Sequence, residues 1–228
     1  ALTTLVLDRE VKQTLTGIDY DVEGLFGGMP KLTNVTLGEQ VKTLTPHMFA
    51  GSGITSIDLN KVKTISNSAL ARNAMTSLTI PGYVNTIGNN VFQGCTQLAT
   101  LTFEPSSDET PLTMGFYDVA DDDGPFYDSP LTTLNLNREI IYTFGGYDIS
   151  SDNEGLFGGK KNLANVTLGD QVKTLSKRMF AGAGFTSINL NKVETINDYA
   201  LTKTAITALT IPGYATTIGN NVFEKCTS

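Results

Sequence analysis

The sequence contains few of the residues that carry most protein chemistry. Among 228 residues there are one histidine and two cysteines, and charged residues make up 17% of the chain. The sequence has no Gly-x-Ser-x-Gly elbow, no phosphate-binding glycine loop and no His-Glu-x-x-His pair, so the common catalytic arrangements are missing. No apolar run is long enough to cross a bilayer, which argues against direct membrane insertion of this segment. These absences predict a protein that is not an enzyme and needs no cofactor.

Positive charge is scarce as well. The formal net charge is −7, and residues 104–128 hold eight acidic side chains without a lysine or arginine. Outside that stretch, 16 basic residues stand against 15 acidic ones (23 − 8), so the acidity is local. Nucleic-acid binding requires a cationic surface, and this sequence offers none. We therefore expect no nucleic acid among the partners.

What the chain does contain is a repeated hexapeptide of the form apolar-x-x-apolar-x-apolar. It occurs nine times at a base period near 22 residues, which lies in the range of leucine-rich repeats. Each copy predicts one short strand with inward-facing apolar residues. The copies are LTTLVL at 2, LTNVTL at 32, ITSIDL at 54, MTSLTI at 75, LATLTF at 98, LTTLNL at 131, LANVTL at 163, FTSINL at 185 and ITALTI at 206.

A second signal, of the type VKTL or VKTI, follows six of these strands. The residue after it belongs to the types that favour helix N-caps, and Pro46 behind Thr45 suits a first helical position. A large apolar residue follows four positions later, so a helical turn is predicted to point it inward. The cap residues are Thr45, Ser66, Gly88, Ser176, Asn197 and Gly219, and the apolar residues are Phe49, Leu70, Phe92, Phe180, Leu201 and Phe223.

These patterns predict an α/β repeat solenoid with a parallel β-sheet, formed by a single domain over residues 1–228. Crossovers between parallel strands favour a right-handed winding, and we expect about nine repeats of ~22 residues, three of them with long insertions. Residues 31–96 align without gaps with 162–227, and 44 of these 66 positions are identical, so a block of repeats was duplicated. Because neither end shows the polar cap that solenoids need, we expect a segment of a longer array.

Two stretches resemble the BspA-like class of leucine-rich repeats. They are LTIPGYVNTIGNNVFQGCTQL (78–98) and LTIPGYATTIGNNVFEKCT (209–227). The unit of that family reads roughly L-x-I-P-x-x-V-x-x-I-G-x-x-A-F-x-x-C, and here Val91 and Val222 replace the usual alanine. The resemblance implies a bacterial or protozoan surface protein with a role in adhesion.

The repeats allow each reactive residue to be compared with its equivalents. His47 shares its position with Ser, Asn, Arg and Tyr, which predicts an exposed helical surface position without catalytic function. Cys95 and Cys226 share theirs with Ser, Asn, Ala and Thr, which predicts a small packing position. They lie five repeats apart, about 24 Å, so they cannot form a disulfide with each other or share a metal. Pairing with a cysteine of another repeat outside this segment stays open.

Two acidic segments invite comparison with calcium loops. Residues 19–24 begin with the right spacing, but the twelfth position is Pro30 instead of the bidentate glutamate, and Asp121–Asp123 also fail the spacing. Solvated acidic loops are the default interpretation, so no metal site is predicted, although calcium binding stays open.

The insertions are the predicted binding surface, because insertions in solenoids often form the binding face. Segments 104–128 and 142–154 are expected to lie side by side and to combine tyrosines with carboxylates that favour a basic partner. A mobile solvated loop is the competing interpretation, and the small polar strand face is expected to keep the sheet soluble. The predicted binding residues are Tyr117, Asp118, Asp121, Asp122, Asp123, Tyr127, Tyr142, Tyr147, Asp148, Asp152 and Glu154.

The leading functional hypothesis is an extracellular or cell-surface protein-binding module for adhesion. Its expected partner is a protein, such as one of the host extracellular matrix or host surface. The alternatives are a structural spacer that presents another domain and an intracellular interaction scaffold.

Overall fold

The computed structural model describes residues 2–13, 24–116, 125–126, 128–144 and 155–226. Within these ranges the chain forms strands and turns, and no helix. The strands in chain order are β1 (Thr4–Leu7), β2 (Asn34–Leu37), β3 (Thr43–Leu44), β4 (Ser56–Ile57), β5 (Thr64–Ile65), β6 (Ser77–Ile80), β7 (Thr86–Ile87), β8 (Thr100–Phe103), β9 (Leu112–Phe116), β10 (Thr133–Leu136), β11 (Ile140–Phe144), β12 (Asn165–Leu168), β13 (Thr174–Leu175), β14 (Thr195–Ile196) and β15 (Thr217–Ile218).

The first side of the molecule is built from the predicted hexapeptides. Seven of the nine form strands, and these pair in parallel in the order β1-β2-β4 and β6-β8-β10-β12. Equivalent residues lie in register, so Leu134 of β10 is flanked by Leu101 of β8 and Val166 of β12. The hexapeptides at 185 and 206 form no strand, although the N–H of Thr207 donates to the carbonyl of Thr186. The ladder is also interrupted between β4 and β6.

The second side is a further parallel sheet, formed by the VKTL-type signals together with β9 and β11. Its order is β11-β9-β7-β5-β3, with β13-β14-β15 as a separate ladder. Ile65 of β5 lies between Leu44 of β3 and Ile87 of β7, and all three side chains are fully buried. Stacked parallel strands of this kind confirm a repeat solenoid. The number of repeats and the hand of the winding stay predictions.

The third side corrects the prediction of helical turns. In place of a helix, each described repeat of the duplicated blocks carries two residues with positive φ, four positions apart, and a right-handed helix cannot contain them. Their φ values lie between 54° and 71°. At the first of these turns, the N–H of Met48 donates to the carbonyl of Thr45 at 3.1 Å. The first position is occupied by His47, Ser68, Asn90, Arg178, Tyr199 and Asn221, and the second by Gly51, Arg72, Gly94, Gly182, Lys203 and Lys225.

These turns form a third ladder between repeats. The N–H groups of His47, Phe49 and Gly51 donate to carbonyls of the next repeat at 2.8–3.0 Å. The same pattern recurs from Arg178, Phe180 and Gly182 to the repeat after them. A helix would have used these N–H groups within the same repeat. The residues with positive φ instead direct these N–H groups towards the next repeat. Backbone hydrogen bonds therefore join neighbouring repeats on all three sides.

The large apolar residues point inward as predicted. Aromatic rings of successive repeats stack face to face, with centroids 5.4 Å apart for Phe92 and Phe126, 5.3 Å for Phe126 and Phe157, and 5.7 Å for Phe157 and Phe180. All four rings are buried, and they form part of one continuous apolar core.

Arg138 is a charged residue inside this apolar environment and is fully buried. Its Nη1 donates to the carbonyls of Gly82 and Val84 at 2.8 and 2.9 Å, and its Nη2 donates to that of Thr110 at 2.7 Å. Burial lowers the pKa of the guanidinium, whereas the charge of Asp108 opposes that shift. The Arg138 side chain thus donates hydrogen bonds to main-chain carbonyls of the two preceding repeats.

Gln171 makes a similar connection. Its Oε1 accepts the N–H of Ser106 at 2.9 Å, and its Nε2 donates to the carbonyl of Ser106 at 2.7 Å. This contact passes over the repeat that contains β10 and β11. The part of the chain with the long insertions is therefore tied by contacts that reach beyond the neighbouring repeat.

Replacing Arg138 with methionine should lower the free energy of unfolding by about 2 kcal/mol, because the buried carbonyl of Val84 and the partly buried carbonyls of Gly82 and Thr110 lose their donor. Urea denaturation followed by circular dichroism measures this. The exposed Arg9 provides the control, since Arg9→Met should change stability by no more than about 0.5 kcal/mol. Equal stability of the two variants would contradict the role given to Arg138.

Candidate functional site

The outward face of the first sheet is a regular row of small polar side chains. Threonine, serine and asparagine alternate with the buried apolar residues along the strands, as in β6, where Ser77 and Thr79 are exposed and Ile80 is buried. Parallel pairing in register places equivalent side chains next to each other from strand to strand. The face is accessible but has few large side chains to anchor a partner.

A groove of about 290 Å³ interrupts this face beside the gap between β4 and β6. Among the residues that line it, the charged ones are Asp58 and Glu104, so its charge is purely negative. The lining residues are Ser56, Ile57, Asp58, Leu59, Asn60, Ser77, Leu78, Thr79, Pro81 and Glu104.

Tyr83 borders the groove and is 44% exposed. Its hydroxyl donates to Oδ1 of Asn60 at 2.9 Å, and the N–H and Nδ2 of Asn60 donate to the two carboxylate oxygens of Asp58 at 2.8 and 3.0 Å. Desolvation, followed by the charges of Asp58 and Glu104, raises the pKa of Tyr83. Both carboxylates therefore act on the same phenol, and Asn60 orients Asp58.

The duplicated block contains a second version of this arrangement. Tyr214 is the equivalent of Tyr83, and Asn189 stands where the first block has Asp58. The ammonium of Lys192 lies 5.2 Å from the centroid of the Tyr214 ring. In the first block the equivalent Lys61 is directed to Glu39, with Nζ 3.9 Å from Oε1. In the second block the tyrosine ring thus contacts a lysine of the same chain, whereas in the first block the equivalent lysine lies near Glu39.

The two adjacent insertions begin from neighbouring strands. β9 and β11 pair in parallel from Leu112 and Ile140 to Phe116 and Phe144, and the insertions follow directly after these ends. They also return side by side, because the rings of Phe126 and Phe157 stack. The described flanks of both insertions are therefore adjacent, as the sequence predicts.

Most of the predicted binding residues lie outside the described residues, and their role stays a prediction. They are Tyr117, Asp118, Asp121, Asp122, Asp123, Tyr127, Tyr147, Asp148, Asp152 and Glu154.

Tyr142 is the predicted binding residue that the structure describes. It is 9% exposed, its hydroxyl donates to the carbonyl of Lys177 at 2.9 Å, and burial raises its pKa. The residue packs in the core because it belongs to β11 and not to the insertion after it.

The candidate calcium segments at 19–24 and Asp121–Asp123 also fall outside the described residues, apart from Gly24. Within the described part of the chain, no group of three or more His, Cys, Asp or Glu side chains is placed to hold a metal ion. The same ranges contain no helix with the length and hydrophobicity that a bilayer crossing requires.

The position shared by the cysteines holds a side-chain hydrogen-bond donor in every described repeat of the duplicated blocks except the one with Ala183. The thiol of Cys95 donates to the carbonyl of Leu70 at 3.3 Å, and that of Cys226 donates to the carbonyl of Leu201 at 3.1 Å. In the equivalent place, Ser52 donates to the carbonyl of Phe26 at 2.6 Å. A small donor here satisfies the carbonyl of the core residue of the preceding repeat. Both thiols are free, and burial raises the pKa of Cys95 to about 11.

His47 occupies a tight turn and not the helix surface that the sequence predicted. It is half-buried and has a φ of 55°. Burial, followed by the charge of Arg72, lowers its pKa, so the imidazole is mostly neutral at pH 7.

Parallel strands, an inward row of leucines and phenylalanines, and a repeat of this length define a leucine-rich-repeat solenoid. The family described as the BspA type leucine rich repeat region matches residues 12–115 and 150–228 in six copies, so the chain belongs to that family.

Two solved structures are similar at low identity. The pneumococcal vaccine antigen PcpA is 15% identical with a TM-score of 0.37, and the alignment covers 85% of this chain and 60% of that one. A leucine rich cell surface protein from Faecalibacterium prausnitzii is 17% identical with a TM-score of 0.31, and here 87% and 63% are covered. The chain thus spans less than two thirds of either structure. No curated protein sequence matches it significantly.

The difference between the two cysteines is testable with a thiol reagent at pH 8. Cys226 is partly exposed and should react in the folded protein, whereas Cys95 should react only after denaturation, because it is buried and protonated at this pH. Ellman's reagent counts the reactive thiols, and a Cys226→Ser variant should show none before urea is added. Fast labelling of that variant would contradict the buried position of Cys95.

Proposed function

We propose that this chain is a non-enzymatic protein-binding module of a cell-surface or secreted adhesin. Membership of the BspA-type repeat family supports this function. An accessible polar strand face and adjacent insertions are features that suit recognition of a large partner.

The observation that carries the proposal is the register of β9 and β11. Because Phe116 lies beside Phe144, the insertions that follow start about one strand spacing apart, or ~5 Å. Residues 117–124 contribute four carboxylates and residues 145–154 contribute three. Concentrated negative charge of this kind attracts a basic partner and accelerates its association. A basic protein of the host extracellular matrix or host surface is the partner class that fits.

A structural spacer is the second candidate. The backbone ladders on three sides and the Ser/Thr/Asn-rich strand face would serve a rod that presents another domain equally well. In that case the insertions would contact nothing.

The adhesion proposal is tested by removing charge from one insertion. A triple variant, Asp121→Ser with Asp122→Ser and Asp123→Ser, should weaken capture by an immobilised basic matrix protein about tenfold at low salt. Biolayer interferometry against a panel of purified matrix proteins measures this. The matched control removes three carboxylates from the segment 19–24, near the start of the sequence, by Asp19→Ser, Asp21→Ser and Glu23→Ser. This variant should retain most of the affinity.

Equal weakening by both triple variants would show a non-specific effect of net charge and contradict the assignment to the paired insertions. Absence of binding by the wild-type chain to every matrix protein would contradict adhesion and favour the spacer.

A further inference from the structure

The groove between β4 and β6 has the size of a site for one side chain. Its volume of about 290 Å³ lies at the lower limit of pockets that enclose small molecules, which start at about 300 Å³. It opens on the exposed strand face and is lined by short residues such as Ser56, Ser77 and Thr79. A residue projecting from a protein surface can therefore reach it.

The charge of the groove selects a cation. Asp58 and Glu104 contribute two negative charges, and the described residues that line the groove include no lysine or arginine. Asp58 is held in place because both of its oxygens accept hydrogen bonds from Asn60. A carboxylate with a fixed orientation pairs better with the rigid, planar guanidinium of arginine than with the mobile ammonium of lysine.

The second copy of the repeat supplies independent support for a cation at this position. There, Lys192 of the same chain lies against the ring of Tyr214. In the first copy Lys61 lies near Glu39 instead, while the equivalent Tyr83 stands beside the acidic groove. The first copy has Asp58 where the second copy has Asn189, and it lies beside a tyrosine whose equivalent in the second copy, Tyr214, contacts a cation.

We infer that this groove accepts an arginine side chain of a partner protein, with the guanidinium between Asp58 and Glu104 and against the ring of Tyr83. A guanidinium can pair with a carboxylate through two hydrogen bonds and stack on an aromatic ring at the same time. An ammonium lacks the planar fork that this two-bond pairing uses. The site is argued from Asp58, Glu104 and Tyr83 and not from residues 117–124 and 145–154, so this inference goes beyond the proposed function and does not depend on the role given to those residues.

The direct test uses a single side chain as the probe. N-acetyl-arginine amide is titrated into ¹⁵N-labelled protein, and amide chemical shifts are followed by NMR. Shifts are expected at Asp58, Tyr83 and Glu104 and at their neighbours on β4 and β6. N-acetyl-citrulline amide has nearly the same shape without the charge and should leave these signals in place.

Two variants separate the groove from general electrostatics. Asp58→Asn reproduces the residue that the second copy carries at Asn189, so the fold should tolerate it. It should weaken binding of the arginine probe about fivefold, the upper range for a partly exposed charge contact. The matched control is Asp8→Asn, an exposed carboxylate on the same side of the molecule, which should leave the affinity unchanged.

The outcomes distinguish this inference from the adhesion proposal. Shifts confined to residues 117–124 and 145–154, or equal shifts with citrulline, would overturn the arginine site and leave the role of the insertions intact. Shifts in the groove that persist in the Asp121–Asp123 triple variant and fall in Asp58→Asn would support the site, whichever surface captures matrix proteins.

Discussion

The structure depends on one constraint: a single repeat cannot provide partners for the hydrogen-bonding groups of its own backbone. A strand of two to five residues has no partner within its own repeat, and the turns of the third side direct their N–H groups to the next repeat as well. Buried amide groups without partners are destabilising, so a repeat is stable only when it is stacked. The inward phenylalanines and leucines add the apolar contribution, but it is the hydrogen-bond direction that fixes the spacing of the repeats.

This constraint explains which positions vary between the two copies. Gly51 and Gly182 are both glycine, whereas Arg72 and Lys203 keep a long side chain in the same left-handed conformation. The turn therefore tolerates many residue types because the ladder fixes the backbone and leaves the side chain outside. Substitutions such as Asp58 for Asn189 affect only the outer surface. Recognition can change in such a fold without a loss of stacking.

The strands were predictable because apolar periodicity is a local property that a single repeat displays. The turns were not, since Thr45 and Pro46 suit the start of a helix and the first half of a tight turn equally well. Histidine tolerates positive φ better than most residues, but Ser68, Arg178 and Tyr199 occupy the same position, so the residue types there do not reveal the turn. The groove was missed because Asp58, Tyr83 and Glu104 come from three repeats and meet only when the repeats stack. The recurrence of Pro-Gly-Tyr in both copies was the available signal.

Arg138 and Gln171 also change how the array comes apart. An array with contacts between neighbours alone loses its repeats one after another from the ends. Here Arg138 reaches back past β8 and β9 to Gly82 and Val84, and Gln171 reaches past β10 and β11 to Ser106. Four consecutive repeats are thereby interlocked, and we expect them to separate as one cooperative unit. Under a pulling force the outer repeats would unravel first, while the section that bears the paired insertions would keep its shape longest.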